Sequence, residues 1–434
     1  MKKIMHVLVF AIGSIVFSLS QASIDIQTWQ TAKGVKVLFV EAPQLPMVDI
    51  EVSFDAGSAR DASQPGLANL TSALLSAGTK QKDEQQISIG FNNLGAQFGG
   101  QASRDSASFN LRSLTRENLL SPALDLFAEV LAQPTFPKAI FERDQARLIQ
   151  ALKQREEQPN QVASLAFWQA LYADHPYAHP TAGNIESVQA IKPRDLKAFY
   201  QRYYVAKNAQ VSIVGAIDRK QAEQIAEHLT RSLKTGEPAP ALLTPKPLQT
   251  AQTEVVDFSS AQTHYMLGQL GVERGHPDYY ALFLGNHLLG GSGFGSLLVE
   301  EVREKRGLVY SVYSYFAPMR VAGPWLIGLS TQNSQALEAD QVVKQTLQDF
   351  MTDFSDEKLT DIKSNLIGGW PLRLDSNSKI LGYISMIGFY DLPLDYLDAF
   401  PRHIEALTKQ DVLDAWQRHI QADKMLTLMV GQPE

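Results

Sequence analysis

His175 and His179 stand four residues apart, the spacing at which a helix can present two imidazoles to a metal ion. Each precedes a proline, Pro176 and Pro180, which pushes it out of helical geometry, so His-Pro-Tyr-Ala-His-Pro reads as a loop with a structural role. Glu227-His228 has no second histidine nearby and reads as a solvated helix face. Gly290-Gly291-Ser292-Gly293-Phe294 sets a serine among glycines, but Phe294 stands where a nucleophile elbow needs its last glycine. The same run lacks dinucleotide-binding spacing and does not end in the Lys-Ser/Thr of a phosphate loop, which leaves a flexible loop as the plain reading. Further on, Arg303 and Tyr310 offer a guanidinium and a phenol, both able to donate hydrogen bonds to a carbonyl that gains negative charge. They also have ordinary structural uses, because an arginine suits the last turn of a helix and a tyrosine suits the start of a strand. The chain has no cysteine, which excludes a thiolate nucleophile, a zinc-thiolate site, disulfides and a lipid-modified cysteine anchor.

The elements that must position these groups follow from the hydrophobic period. Residues 48–54 and 211–214 read as strands, residues 65–77 and 137–157 as helices, and residues 98–111 as a hairpin. Strands mixed with long helices imply an α+β fold in which helices pack on one face of a mainly antiparallel sheet. The run Lys234-Thr235-Gly236-Glu237-Pro238-Ala239-Pro240, continued by Pro245 and Pro247, has neither period and reads as a linker. An internal repeat supports a division there. A displacement of 216 residues aligns Asp195-Leu196-Lys197-Ala198-Phe199-Tyr200-Gln201-Arg202 with Asp411-Val412-Leu413-Asp414-Ala415-Trp416-Gln417-Arg418. It also matches Ala190 to Ala406, Ala206 to Ala422, Val214 to Val430 and Gly215 to Gly431. The expected organisation is a first domain over residues 23–233, a linker over 234–252 and a homologous second domain over 253–434.

Ahead of these lie Lys2 and Lys3, an apolar run over residues 7–19 and the small-residue exit Ser20-Gln21-Ala22. Together they read as a secretory signal peptide over residues 1–22, cleaved after Ala22, too short for a transmembrane anchor and pointing to a bacterial periplasm. A net charge of −7 with no Lys/Arg block argues against nucleic acid and acidic membranes as partners.

Within residues 65–77, Ser63 as cap, Pro65 in the first turn and the stripe Leu67, Leu70, Leu74, Leu75 place Asn69, Ser72 and Ala73 on one helical face. The flanking Asp55-Ala56-Gly57-Ser58-Ala59-Arg60, Gly66-Leu67-Ala68 and Gly78-Thr79 resemble the frame around the His-x-x-Glu-His motif of the insulinase/pitrilysin zinc metallopeptidases, the inverzincins. The likeness is to the mitochondrial processing peptidase-like, two-domain subfamily and covers about residues 35–431. It implies that Asn69 occupies the first His, Ser72 the Glu and Ala73 the second His. The family's third ligand, a glutamate on a later helix, falls at Gln150 or Ala151 in Arg147-Leu148-Ile149-Gln150-Ala151-Leu152. Glu156 cannot substitute, because six residues of helix rotate it by about 600°, roughly a third of a turn off the required face. Losing both imidazoles and the carboxylates forfeits most of a zinc-binding free energy on the order of 10 kcal/mol, so no metal is expected in this chain.

The second half keeps more of the family. Leu288-Leu289-Gly290-Gly291-Ser292-Gly293-Phe294-Gly295, a helix carrying Leu297, Leu298 and Val302, and Arg303-Glu304-Lys305-Arg306-Gly307-Leu308-Val309-Tyr310 are similar to a block in which an Arg and a Tyr bind substrate and stabilise the tetrahedral intermediate. The resemblance implies that role for Arg303 and Tyr310, and a substrate-binding loop at Gly290, Gly291 and Gly293. Family members also add substrate as an extra strand to a sheet edge. Gly99 and Gly100 replace the Asn-Ala pair that contacts substrate there. Some bacterial members are heterodimers with zinc in one subunit and the Arg/Tyr pair in the other. The expectation is therefore the non-zinc subunit of a periplasmic heterodimeric metallopeptidase, inactive alone, with peptide substrates and a zinc-bearing family paralogue as partner. The alternative is a non-catalytic peptide-binding or assembly protein, as the core subunits of a respiratory complex resemble this family without proteolysis.

Overall fold

In the computed structural model, which describes residues 24–434, the hydrophobic periods resolve into two sheets. The expected signal peptide over residues 1–22 lies outside the described residues. The first sheet holds β1 (Gln27–Gln30), β2 (Lys36–Glu41), β3 (Met47–Phe54), β4 (Gln97–Ala102), β5 (Ala107–Leu114) and β6 (Ala209–Gly215), in the order β1-β2-β6-β3-β5-β4. The second holds β7 (Gln252–Asp257), β8 (Gln262–Leu270), β9 (Val309–Phe316), β10 (Pro324–Gln332) and β11 (Leu426–Gly431), in the order β7-β11-β8-β10-β9. Only β2–β6 and β7–β11 are parallel pairs; the other named pairings are antiparallel. The 216-residue displacement survives in the parallel register, where Lys36 pairs with Gln210 in one half and Gln252 with Leu426 in the other. It also carries the helix Pro193–Tyr203 onto Lys409–His419.

Within each half, helices cover one face of the sheet, as the period of β3 requires. Val48, Ile50, Val52 and Phe54 point one way and are buried with Leu70, Phe91, Phe127, Leu196 and Leu229 from five helices of the first half. In the second half, Tyr265, Trp325, Ile327 and Met429 meet Leu282, Val343, Phe350 and Trp416, and the Trp325 and Trp416 rings stand edge to face at 5.6 Å.

The opposite face of each sheet is covered by a helix of the other half. Pro159–Tyr172, from the first half, lays Ala163, Phe167, Leu171 and Tyr172 on Met266, Leu270, Leu326, Leu428 and Val430 of the second sheet. Asn377–Phe389, from the second half, brings Leu381, Ile384 and Ile387 into one core with Leu38, Val40 and Val214 of the first sheet. Hydrogen bonds fix this second contact: Gln210 Nε2 donates to the Ser385 carbonyl at 3.0 Å and Lys36 Nζ to the Gly388 carbonyl at 2.9 Å. Polar groups gather where the halves meet. Asp105, in the β4–β5 turn, accepts from the Tyr177 hydroxyl, from the Tyr390 hydroxyl at 2.8 Å and from the Arg320 amide at 3.0 Å, and is 2 % exposed. Asp55 holds Arg60 through two hydrogen bonds, at 2.8 and 2.9 Å, and lies 3.5 Å from Arg320.

Two helices are shorter than the sequence suggests: residues 65–77 yield Leu67–Ala73, and residues 137–157 yield Lys138–Glu156. From residue 234 to 251 no helix or strand forms, and β7 starts at Gln252. This strap is tied down all the same. Arg60 Nη1 donates to the Pro240 carbonyl at 2.7 Å, and His175 Nε2 lies 2.8 Å from the Leu243 carbonyl. His175 Nδ1 accepts the Tyr177 amide at 3.1 Å, so the His-Pro loop, a 3-10 turn over Pro176–Ala178, anchors the strap as a structural segment.

Two expectations follow. Phe167→Ala removes a fully buried ring from the exchanged helix and should cost about 3–5 kcal/mol, read as a lower urea midpoint with both halves unfolding in one transition. Glu51, on the polar side of β3 beneath Asn377–Phe389, has its carboxyl pushed up to about 7 by burial. The folded state then binds this proton more tightly than the unfolded chain does. Its stabilising share is complete below pH 4 and is lost as pH rises through 7. Glu51→Gln should accordingly raise stability at pH 8 by on the order of 2 kcal/mol and change it little at pH 4.5, measured by denaturant titration at both values.

Candidate functional site

The helix Leu67–Ala73 is two turns long and starts on a carboxylate. Asp61, not Ser63, caps it: its oxygens accept the Gly66 and Ala68 amides at 2.8 and 2.7 Å. Asp61 is buried, and burial pushes its carboxyl up to about 7 against the pull of those two amides. The three positions that share a face do not share an environment. Asn69 is half-buried, Ser72 is buried and Ala73 is exposed. Ser72 sits beside the buried Tyr204, whose ring stacks on Phe54 at 4.9 Å and lies 5.9 Å from Phe109. Gln150 and Ala151 are exposed on Lys138–Glu156, as is Glu156. An amide, a hydroxyl and a methyl, with no carboxylate at Gln150 or Ala151, supply no zinc-binding donor set, so zinc does not fit here.

His228 lies 3.0 Å from Asp125. Among the described residues, the one group of three metal-type ligands within 4.8 Å of one another is His276, Asp278 and His419. Its groups bind one another and the chain: Asp278 Oδ2 is 2.8 Å from His419 Nε2 and 3.0 Å from Arg418 Nη2, and His276 Nδ1 accepts the Asp278 amide. It clasps the end of Lys409–His419 to the start of the helix Tyr279–Asn286.

In the second half the structure brings the expected residues together. Tyr279–Asn286 runs into a π-helical turn, His287–Gly291, then a 3-10 turn, Gly293–Gly295, and a second π-helical segment, Val299–Glu304. Such wide turns are rare and recur at functional sites. Asn286 anchors the loop by donating to the Ser314 carbonyl at 3.0 Å and accepting the Trp325 indole N–H at 3.1 Å. Gly290 lets the turn lie against β9, since a Cβ there would come within 2.5 Å of Ser314 Oγ, and Gly293 takes φ +67°. Arg303 leaves the second π segment with its Cζ 4.8 Å from the Phe294 ring centre and 5.5 Å from that of Tyr310. Around it Glu300 pairs with Lys305 and Lys358, and Glu301 with Lys305 and Arg306. Arg303 alone of these basic residues has no carboxylate partner among the described residues. Tyr310 is 87 % exposed because β9 bulges there: Val309 pairs with Thr331 and Val312 with Leu329, so two residues of β9 face one of β10. A bulge of this kind re-aims a side chain. The guanidinium and the phenol thus meet at an open edge of the second sheet, both free to donate.

Two homologous α+β halves, one with a metal-motif helix stripped of ligands and the other with an unpaired Arg beside an exposed Tyr, define a peptidase-like scaffold without its own metal centre. Residues 36–184 match the family model described as insulinase (peptidase family M16), and residues 190–366 match the peptidase M16 inactive domain. A crystal structure of a peptidase M16 inactive domain from Pseudomonas fluorescens superposes with a TM-score of 0.91 at 40% identity, covering 95% of this chain and 98% of that one. A Helicobacter pylori protein named a non-peptidase homolog, YmxG, is 28% identical over 395 residues, 87% of each chain. A Bacillus subtilis protein named an uncharacterized zinc protease, also YmxG, is 25% identical over 362 residues, 82% of this chain and 86% of that one. The chain belongs to the insulinase family of peptidases, M16, as a peptidase-like homologue whose own zinc-motif positions carry no metal ligands.

Sequence reasoning missed Asp61 as the cap, the burial of Ser72, and Phe294. The signal for Phe294 was available: a large ring between glycines on a surface loop is rarely there for packing. For Ser72 the consequence is testable. Ser72→Glu, which restores the family's motif residue, puts a carboxylate against Tyr204 and should destabilise the fold by about 2–4 kcal/mol at pH 7, measured by urea unfolding.

Proposed function

We propose that this chain is the non-zinc subunit of a periplasmic heterodimeric metallopeptidase, supplying Arg303 and Tyr310 to a zinc-bearing family paralogue. The observation that carries the proposal is the Arg303 guanidinium, without a counter-ion among the described residues, set beside the exposed Tyr310 phenol on a bulged strand, while the chain's own metal positions are empty of ligands. An extended peptide held across the two subunits would place its scissile carbonyl against these donors. As attack turns the carbonyl into an oxyanion, the Arg303 N–H groups and the Tyr310 O–H strengthen their hydrogen bonds, which lowers the barrier. The zinc that activates water belongs to the partner. Periplasmic placement rests on the leader-like residues 1–22.

The test mixes the purified chain with any zinc-motif paralogue encoded next to it. Neither is expected to cleave quenched fluorogenic peptides efficiently alone, and the mixture should form a stable complex that does. Arg303→Ala and Tyr310→Phe should each lower kcat/KM by about 100-fold without disturbing assembly. No complex, or a complex indifferent to both substitutions, would favour the second reading, a non-catalytic peptide-binding or assembly protein.

A further inference from the structure

We propose that Phe294 is the positioning residue of the Arg303–Tyr310 pair. Its ring is 75 % exposed at the tip of the glycine loop, where a phenylalanine contributes nothing to a core. The Arg303 guanidinium lies over the ring, its Cζ 4.8 Å from the ring centre, with the Tyr310 ring centre 5.5 Å from the same Cζ. A guanidinium has two flat faces and five N–H donors that lie in its plane. Rings satisfy the faces by attraction to the π cloud and leave the in-plane donors unspent, whereas a carboxylate would consume them. A long side chain held this way surrenders its rotamer freedom before substrate arrives.

The turn that carries Phe294 is built to hold it. Gly293 takes a backbone angle, φ +67°, that only glycine adopts without cost. Ser296, fully buried, closes the turn by donating both its hydroxyl, at 2.7 Å, and its amide, at 3.0 Å, to the Gly293 carbonyl. Phe294 itself has no donor for a reacting carbonyl, so it acts through Arg303. That positioning stands on geometry alone; its consequence for turnover rests on the reading of Arg303 and Tyr310 given above.

The experiment follows the Arg303 side chain in the full chain by 15N NMR of the arginine Nε–Hε group, assigned through Arg303→Lys. In the wild type, ring currents should move Arg303 Hε upfield and its motion should be restricted. Phe294→Leu, which keeps an apolar side chain without the π face, should cut the upfield shift to the part due to Tyr310 and loosen the group, and Phe294→Tyr should retain both. An unchanged Arg303 signal in Phe294→Leu overturns the proposal. In the pair reconstituted with the zinc-motif paralogue, Phe294→Leu should lower kcat about tenfold with KM within about twofold, and Phe294→Tyr should keep wild-type turnover. Unchanged kcat in Phe294→Leu overturns the catalytic consequence. If the wild-type pair shows no peptidase activity, the heterodimer reading fails and the NMR result alone decides whether Phe294 positions Arg303.

Discussion

Every other feature of this fold depends on how each sheet covers its second face. A sheet with helices on one side only would leave the Leu38 and Val40 side of β2, or the Leu326 and Leu428 side of the second sheet, to water. The halves solve this for one another by exchanging equivalent helices, Pro159–Tyr172 and Asn377–Phe389. Neither half covers the second face of its own sheet, and the contact between them is structural rather than a sliding domain interface. Asp105 and the Asp55–Arg60–Arg320 group then become possible: buried charge survives at the junction because several donors converge on it.

That rigidity explains how one half lost its metal chemistry without losing its shape. In the first half the helix that carries Asn69, Ser72 and Ala73 is fixed by Asp61 at its start and by packing against Tyr204, so no zinc is needed to hold it. In the second half the glycine loop, two π-helical segments and the bulge in β9 are all departures from regular structure, and all converge on Arg303 and Tyr310. Irregularity kept at one place and regularity kept at the other fits a chain whose contribution to chemistry is confined to its second half.

Much of the architecture was legible. The apolar period of residues 48–54 and 211–214 located two central strands, and the 216-residue displacement found a repeat that the parallel register preserves. What the period could not reveal is that the polar face of β3 is also buried. Asp49, Glu51 and Ser53 alternate with Val48, Ile50 and Val52 just as a half-solvated strand would, yet they lie under a helix more than 300 residues away in sequence. Asp49 is reconciled by Arg112, at 2.6 Å, while Glu51 bears its burial as a displaced pKa. Nor could local sequence show the cap from Asp61, because Asp61 reaches over a turn that helix-start rules place later. Arg303 and Tyr310 were found through the resemblance of their block to the family; that Arg303 lacks a counter-ion among the described residues while Lys305 and Arg306 are paired is visible only in three dimensions.

The helix exchange also sets an order on synthesis. The first sheet can assemble once β6 has been made, but the helix that shields Leu38, Val40 and Val214 ends at Phe389, near the finish of the chain. For most of translation the first half carries a bare apolar face and an unshielded polar strip, which is the kind of surface that recruits chaperones. Completion of the second half is thus the event that makes the first half a folded object.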